Sequence, residues 1–273
     1  MARLRLFLCG DVMLGRGIDQ ILSRPSEPRL YETFARSAMD HVRLAEHANG
    51  RIPRNVDPAY VWGETLTVLR DRALSARVIN LETAITTSRE PWPKGTNYRM
   101  HPDNVPCLVA AQIDCCVLAN NHVLDWGRSG LLETLASLQN VGIRTAGAGR
   151  NATEAAAPAV IPLPNGGRLA VYGMASTTSG VPRSWAATAN RAGVNLLPDL
   201  SVRTASSVAN IAQTTRRPGE ILVAWWSTGA KIGATKSRPR SESSPMLWWT
   251  TASPLCTGID RITRRVSNFM VRV

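Results

Sequence analysis

The chain of 273 residues lacks a CxxC pair among its five cysteines, and no apolar run is long enough to cross a bilayer. Without a CxxC pair a thiolate zinc site is disfavoured, and we interpret the cysteines as reduced, mostly buried thiols. The N-terminal apolar run ends at Cys9, immediately before Gly10, and is too short for a secretory signal peptide. These absences predict a cytoplasmic protein without a transmembrane segment.

Three further absences narrow the chemistry. No Gly-x-Ser-x-Gly sequence is present, which argues against a serine nucleophile on a sharp strand-to-helix turn. The glycines at positions 10, 15 and 17 are not followed by Gly-Lys-Ser/Thr, so they do not form a Walker phosphate loop. All four histidines lie at or before His122, and the rest of the chain has none.

Charge is plentiful but uneven. The net charge is +12, and half of it lies in residues 225–273, which contain eight Lys or Arg residues and two Asp or Glu residues. A basic chain favours an anionic partner, and we expect an anionic polymer or a phosphorylated small molecule. Aromatic and basic residues are not interleaved and no nucleic-acid motif is present, which argues against nucleic acid as the partner.

Apolar runs that end in polar residues alternate with helical patterns. We predict strands over 4–9, 77–81, 113–119, 155–163, 168–175 and 220–224, and helices over 31–47, 62–74, 130–141 and 202–214. Strands that alternate with helices are typical of an α/β fold with a largely parallel sheet.

Polar clusters begin where three of these strands end. They are Gly10-Asp11 with Arg16, Asn80-Leu81-Glu82, and Asn120-Asn121-His122-x-x-Asp125. The carboxyl ends of parallel strands meet at one edge of the sheet, where open α/β sheets place their sites. Carboxylate and amide oxygens with one imidazole suit Mg, Mn, Fe or Zn, and two such metals could activate water.

Each cluster also has a purely structural interpretation. A Gly-Asp pair after a strand often forms only a turn. Asn-Leu-Glu alone more often begins a helix than binds a metal. The Asn-Asn-His cluster could be a capped turn into the following helix.

Taken in order and spacing, the three motifs resemble the poly-gamma-glutamate capsule synthesis (CapA-like) family, and residues 98–102 are also similar to it. The resemblance covers about residues 3–224. It implies a calcineurin-like metallophosphoesterase sandwich with a two-metal site, and divalent metal ions (Mn, Fe, Zn or Mg) as cofactors. The residue roles that it implies are metal ligands at Asp11, Glu82 and Asn121, catalytic residues at His122 and Asp125, and substrate contacts at Arg16 and Arg99.

The family's later motifs, His-Trp-Gly with Tyr-Glu and then His-Gly-His, are missing from this chain. The codons of this chain allow both motifs in a shifted reading frame, in which the last base of each codon is read with the first two bases of the next. In that frame residues 225–236 permit Val-Val-His-Trp-Gly-x-Asn-Trp-Gly-Tyr-Glu, and residues 256–268 permit His-Gly-His-x-Ser-His-His-Pro-x-Gly-Ile-Glu. We therefore hypothesise that the chain is translated out of frame from about residue 225.

This hypothesis divides the chain into a CapA-like domain at 1–224 and a poorly ordered tail at 225–273. The fold would be incomplete at its C-terminus, and the site would lack its later histidines. We expect a protein of capsule or cell-envelope polymer synthesis that resembles a metal-dependent hydrolase and has weak or no activity. The alternative is a non-catalytic accessory protein that binds an anionic polymer or a synthase partner.

Overall fold

Two four-stranded sheets form the framework of the chain. The computed structural model describes residues 4–215, 220–227 and 268–272. The strands are β1 (Leu6–Val12), β2 (Ala76–Leu81), β3 (Ala84–Ile85), β4 (Arg99–Met100), β5 (Cys115–Val117), β6 (Arg144–Ala146), β7 (Ala148–Gly149), β8 (Ala159–Pro162), β9 (Arg168–Ala175), β10 (Gly193–Val194), β11 (Glu220–Ser227) and β12 (Asn268–Arg272). The helices are α1 (Arg16–Ile21), α2 (Ala38–Asn49), α3 (Thr65–Asp71), α4 (Pro106–Ala110), α5 (Gly127–Asn140), α6 (Ala152–Ala156) and α7 (Val202–Thr215).

The first sheet is parallel throughout and has the order β1-β2-β5-β6. Its central strands, β2 and β5, are rich in apolar residues, and Val78, Ile79 and Val117 are fully buried. Strands of this kind are apolar on both faces because both faces of a parallel sheet are covered. The predicted α/β class with a parallel sheet is confirmed.

The second sheet has the order β12-β11-β9-β8. Its two central strands, β9 and β11, are parallel, and an antiparallel strand lies at each edge. A tight turn at Asn165-Gly166-Gly167 joins β8 to β9. Gly166 has a φ of 80°, which glycine adopts without strain, and the Asn165 side chain accepts a hydrogen bond from the Gly167 amide.

The two sheets meet at a pair of glycines. A Cβ atom on Gly147 would lie 2.9 Å from the Cα atom of Gly173, and a Cβ on Gly173 would lie 2.7 Å from the Cα of Gly147. Such distances leave no room for a side chain at either position. Buried residues of both sheets, among them Val117, Leu169 and Val171, belong to one hydrophobic core.

Some predicted element bounds are wrong, and local capping explains two of them. The strand predicted over 155–163 begins only at Ala159, because Asn151 caps a short helix, α6, through a hydrogen bond from the Glu154 amide. The helix predicted over 31–47 begins at Ala38, where Ser37 and Asp40 form a capping box. Residues before Ser37 are therefore left as a loop between α1 and α2.

Near the C-terminus, β11 continues to Ser227, three residues beyond the strand predicted to end at 224. Residues 228–267, which contain most of the predicted tail, lie outside the described residues. The domain boundary at 224 and the altered reading frame therefore stay predictions. Within the described ranges, none of the helices has both the length and the apolar character required to cross a bilayer.

Candidate functional site

Asp11 lies on β1, directly opposite Asn80 on β2. The pairing register between these strands shifts between Cys9 and Asp11, so that one extra residue, Gly10, is accommodated in β1. The strand continues to Val12, and Asp11 is part of it rather than of the turn that follows. The shift brings the Asp11 carboxylate to the carboxyl end of β2.

One side-chain amide joins two carboxylates at this end of the sheet. The Asn80 Nδ2 group donates to Asp11 Oδ1 at 2.8 Å and to Glu82 Oε2 at 2.7 Å. Asn80 is fully buried and Glu82 almost so. Two negative charges are thus held close together at the buried edge of the parallel sheet.

Asn120 fixes the orientation of the Asn80 amide. Its Nδ2 group donates to Asn80 Oδ1 at 3.0 Å and to the Leu81 carbonyl at 2.8 Å. Its own Oδ1 accepts a hydrogen bond from the His122 main-chain amide at 3.0 Å. Because Asn80 Oδ1 serves as an acceptor, its NH2 group must point toward the two carboxylates.

His122 forms a close pair with Asp125. The imidazole Nδ1 lies 2.7 Å from Asp125 Oδ2, which also accepts from the Tyr98 amide at 2.6 Å. The short contact with a buried carboxylate favours a proton on Nδ1. The other ring nitrogen, Nε2, lies 3.9 Å from Glu82 Oε1.

Lys94 balances the charge of Asp125. Its Nζ lies 2.5 Å from Asp125 Oδ1, donates to the Asn121 carbonyl and lies 3.2 Å from His122 Nδ1. The ammonium is also 5.6 Å from the centroid of the Trp185 ring. Asp125, which is fully buried, is therefore shared between an imidazole and an ammonium group.

The ring of Tyr98 lies between the Arg16 guanidinium and the His122 imidazole. The rings of Tyr98 and His122 are stacked, with centroids 3.9 Å apart and planes 18° from parallel. The Arg16 guanidinium carbon lies 4.7 Å from the centroid of Tyr98 and forms an ion pair with Glu32. Arg16 is thus close to His122, but its charge is already balanced by a carboxylate.

The side chains of Arg99 and Asn121, which were predicted to belong to the site, make contacts elsewhere. The Arg99 guanidinium donates to the carbonyls of Ser88 and Glu27 and lies 4.0 Å from the Trp126 ring centroid. Burial lowers the pKa of Arg99, and its two carbonyl partners lie in different loops, which Arg99 thereby joins. The Asn121 side chain lies next to Gly180, at which a Cβ would be 3.6 Å from Asn121 Cβ.

Residues 5–242 match the family model described as Bacterial capsule synthesis protein PGA_cap. The chain belongs to this family. Two relatives from strains of Mycobacterium tuberculosis, each named probable polyglutamine synthesis accessory protein, are 46% identical to it over 230 residues. The match covers 84% of this chain and 60% of each relative, so the chain spans about three-fifths of their length. The predicted membership of the capsule synthesis family is confirmed.

Two carboxylates of this chain could serve as ligands of a divalent cation. Asp11 and Glu82 are carboxylates held at one amide, and such oxygens suit a hard divalent cation. Within residues 4–215 and the two described strands beyond them, no group of three or more His, Cys, Asp or Glu side chains is arranged to hold a metal. A two-metal centre would need ligands from outside these residues.

Sequence reasoning missed several residues that build the site of this PGA_cap protein. Asn80 and Asn120 lie in the recognised motifs, but the predicted metal ligands in those motifs were Glu82 and Asn121. Tyr98 lies in the stretch that resembles the family, so its position was available as a signal. Lys94 lies in a proline-rich loop and Glu32 in a polar insertion, and neither had a sequence signal.

Proposed function

We propose that the chain is an accessory protein in the synthesis of a poly-gamma-glutamate type capsule or cell-envelope polymer, and that it binds the anionic polymer through a divalent cation. Asp11 and Glu82 would hold the cation, and His122 would carry a proton next to it. The observation on which the proposal rests is the single Asn80 amide that holds both carboxylates. The family model is described as a capsule synthesis protein and the relatives are named for polyglutamine synthesis, which supports an accessory role in making a polymer.

Charge explains why a cation is part of the proposal. An anionic group that approaches Asp11 and Glu82 meets two carboxylates and is repelled by them. The cationic side chains around His122, Lys94 and Arg16, already pair with Asp125 and with Glu32. A divalent cation on the two carboxylates would cancel their charge and could take a carboxylate of the anionic group as a further oxygen ligand.

His122 is suited to proton transfer. Asp125 holds its Nδ1 side, which orients the ring and leaves Nε2 directed toward Glu82. In this role the imidazole would donate a proton to a leaving group or accept one from water. This geometry supports the second candidate function, a metal-dependent phosphoesterase-like hydrolase of the polymer pathway.

We rank the hydrolase second because the ligands implied for its second metal are not among the residues of the given chain. The sequence has no histidine after His122, and the loss of ligands usually removes most of a site's metal affinity. The proposal for this polypeptide is therefore cation-dependent polymer binding with weak or no hydrolysis.

The test measures binding of poly-gamma-glutamate to the full chain by calorimetry, with Mn²⁺ and with EDTA. We expect binding with Mn²⁺ and a loss of affinity of at least about tenfold in Asp11→Asn and in Glu82→Gln. The matched control is Asp103→Asn, because this exposed carboxylate belongs to none of the site contacts. Binding that EDTA and both site variants leave unchanged would overturn the proposal.

A second assay separates the two candidate functions. Hydrolysis of a chromogenic phosphodiester is measured with Mn²⁺ for the full chain and for His122→Gln. An accessory protein gives no turnover above that of the buffer with Mn²⁺. Turnover that His122→Gln abolishes would establish the hydrolase instead.

A further inference from the structure

Glu32 is a buried carboxylate next to the candidate site. Glu32 belongs to the loop between α1 and α2, and only 3% of its surface is exposed. It forms an ion pair with Arg16, and its second oxygen lies 3.9 Å from His41 Nε2. The three side chains form one cluster, which we call the Glu32 cluster.

The contacts inside the Glu32 cluster are poorly directed. Arg16 Nε, both Glu32 oxygens and His41 Nε2 are buried, and within the described part of the chain none of these four atoms has a hydrogen-bond partner. An arginine and a carboxylate interact best as a two-pronged, hydrogen-bonded pair. Glu32 is therefore paired with Arg16 without the two-pronged hydrogen-bonded geometry, and a better-aligned carboxylate could replace it.

His41 contributes little electrostatic attraction to the Glu32 carboxylate. Burial, and next the neighbouring Arg16 charge, lower the pKa of His41, while Glu32 and Asp40 oppose this shift. The imidazole is therefore neutral near pH 7. Arg16 is then the cationic side chain of the cluster.

The same guanidinium is also placed to receive a ligand at the candidate site. It lies over Tyr98, which stacks on His122, so the guanidinium and the imidazole are separated by one aromatic ring. Arg16, the first residue of α1, has a positive φ of 51°, an uncommon conformation for a residue other than glycine.

We propose that Arg16 is the receptor for a carboxylate of the anionic polymer, and that Glu32 occupies this receptor in the free protein. The inference depends on the proposed function, because it takes the polymer as the ligand. Binding exchanges one carboxylate for another on the same guanidinium and forms no covalent bond. Glu32 then acts as an internal competitor that lowers the affinity for the polymer and excludes weak carboxylate ligands.

The experiment compares the affinity of full-length variants for a gamma-linked oligoglutamate in the presence of Mn²⁺. We expect Glu32→Gln to bind at least about fivefold more tightly than the parent chain, the lower end of typical coupling between linked sites. We expect Arg16→Gln to bind more weakly than the parent. The double variant should bind as weakly as Arg16→Gln, because Glu32 acts only through Arg16.

The control for net charge is Glu64→Gln, which removes an exposed carboxylate outside the Glu32 cluster. If this variant gains as much affinity as Glu32→Gln, general electrostatics explains the effect and the inference fails. If Glu32→Gln does not fold, Glu32→Asp withdraws the carboxylate by one methylene group and should also bind more tightly.

The outcomes separate this inference from the proposed function. Binding that needs Mn²⁺, Asp11 and Glu82 but is unchanged or weaker in the Glu32 variants would keep the proposed function and overturn the inference. No binding by any variant would overturn both.

Discussion

The imidazole of His122 lies flat against the ring of Tyr98, with 3.9 Å between their centroids. This contact limits rotation of the imidazole about its side-chain bonds, while Asp125 fixes one of its nitrogens. The two restraints together keep Nε2 directed toward Glu82, 3.9 Å from Oε1. Tyr98 is therefore a positioning residue for His122.

Replacing Tyr98 by leucine should release the imidazole of His122. Stacked rings contribute about 0.5–1.5 kcal/mol beyond their buried area, and leucine loses this term while phenylalanine keeps it. We expect the His122 ring-proton NMR signals to lose their upfield ring-current shift in Tyr98→Leu and to retain it in Tyr98→Phe. Signals that stay in place in the leucine variant would contradict the stacked arrangement.

Replacing Asp125 by asparagine should destabilise the chain. The change leaves the Lys94 ammonium without its carboxylate, 2.5 Å from the altered group. Breaking a buried ion pair costs about 3–5 kcal/mol, and because Lys94 is partly exposed we expect about 2–3 kcal/mol. Urea unfolding at pH 7 measures the loss.

The double variant Asp125→Asn with Lys94→Met is the control for this effect. Removing both charges should recover part of the lost stability, since no unpaired ammonium remains. If the double variant is as unstable as the sum of the two single variants, Lys94 and Asp125 do not interact.

The sequence could predict where the site lies but not how it is held together. Asp11 lies near the end of β1, Glu82 and His122 follow β2 and β5, and the parallel sheet brings the ends of these strands to one edge. The register shift at Gly10 could not be predicted, because it depends on how β1 pairs with β2. Arg99 shows the same limit, because its two carbonyl partners are set by tertiary folding and not by local sequence.

The sequence predicted the long buried strands of the fold better than the starts of its helices. The apolar run over 168–175 gave the bounds of β9 correctly, because a long buried strand has a strong local pattern. The loop before α2 did not follow its helical pattern, because the capping box at Ser37 starts the helix later. Glu32 lies in that loop, so its burial next to Arg16 could not be predicted from the helix.

Acid should destabilise the chain through His41. Burial and Arg16 hold the pKa of His41 below its ordinary value in the folded state. An unfolded histidine takes up its proton near pH 6.5, so below that pH the unfolded state binds more protons than the folded state. Stability is therefore lost as the pH falls from 7 toward 5, and it is retained above pH 7.

The measurement is urea unfolding of the parent chain and of His41→Gln at pH 7, 6 and 5. The variant should lose less stability over this range than the parent, because it lacks the group whose pKa is lowered. Equal losses in both proteins would assign the acid sensitivity to other residues. The exposed His47 provides the matched control, His47→Gln, which should behave as the parent.

Replacing Asn80 by aspartate should make stability depend on divalent cations. The change removes the amide that donates to Asp11 and Glu82 and puts a third carboxylate in its place. Neighbouring like charges raise carboxyl pKa values, so the loss of stability relative to the parent should be larger at pH 7 than at pH 5. Mn²⁺ should raise its melting temperature more than that of the parent, whereas an Asn80→Leu variant should show no such gain.

Restoring the reading frame should complete the cation site. The hypothesis of a frame change near residue 225 rests on the codons allowed for residues 225–236 and 256–268, which permit both missing histidine motifs in one shifted frame. Sequencing of the genomic DNA across the codons for 215–273 is the first check. Bases that exclude those histidine codons would refute the hypothesis.

A chain with the restored frame should bind Mn²⁺ at least about tenfold more tightly than the present chain, because even the residues that only support metal ligands change metal affinity by about 10–100-fold. The comparison uses calorimetry on both full-length chains, each with and without Glu82→Gln. Since Glu82 would be a ligand in both, that variant should weaken both. A restored chain whose Mn²⁺ affinity equals that of the given chain would show that Asp11 and Glu82 work without the later histidines, and would favour the accessory role for the whole family member.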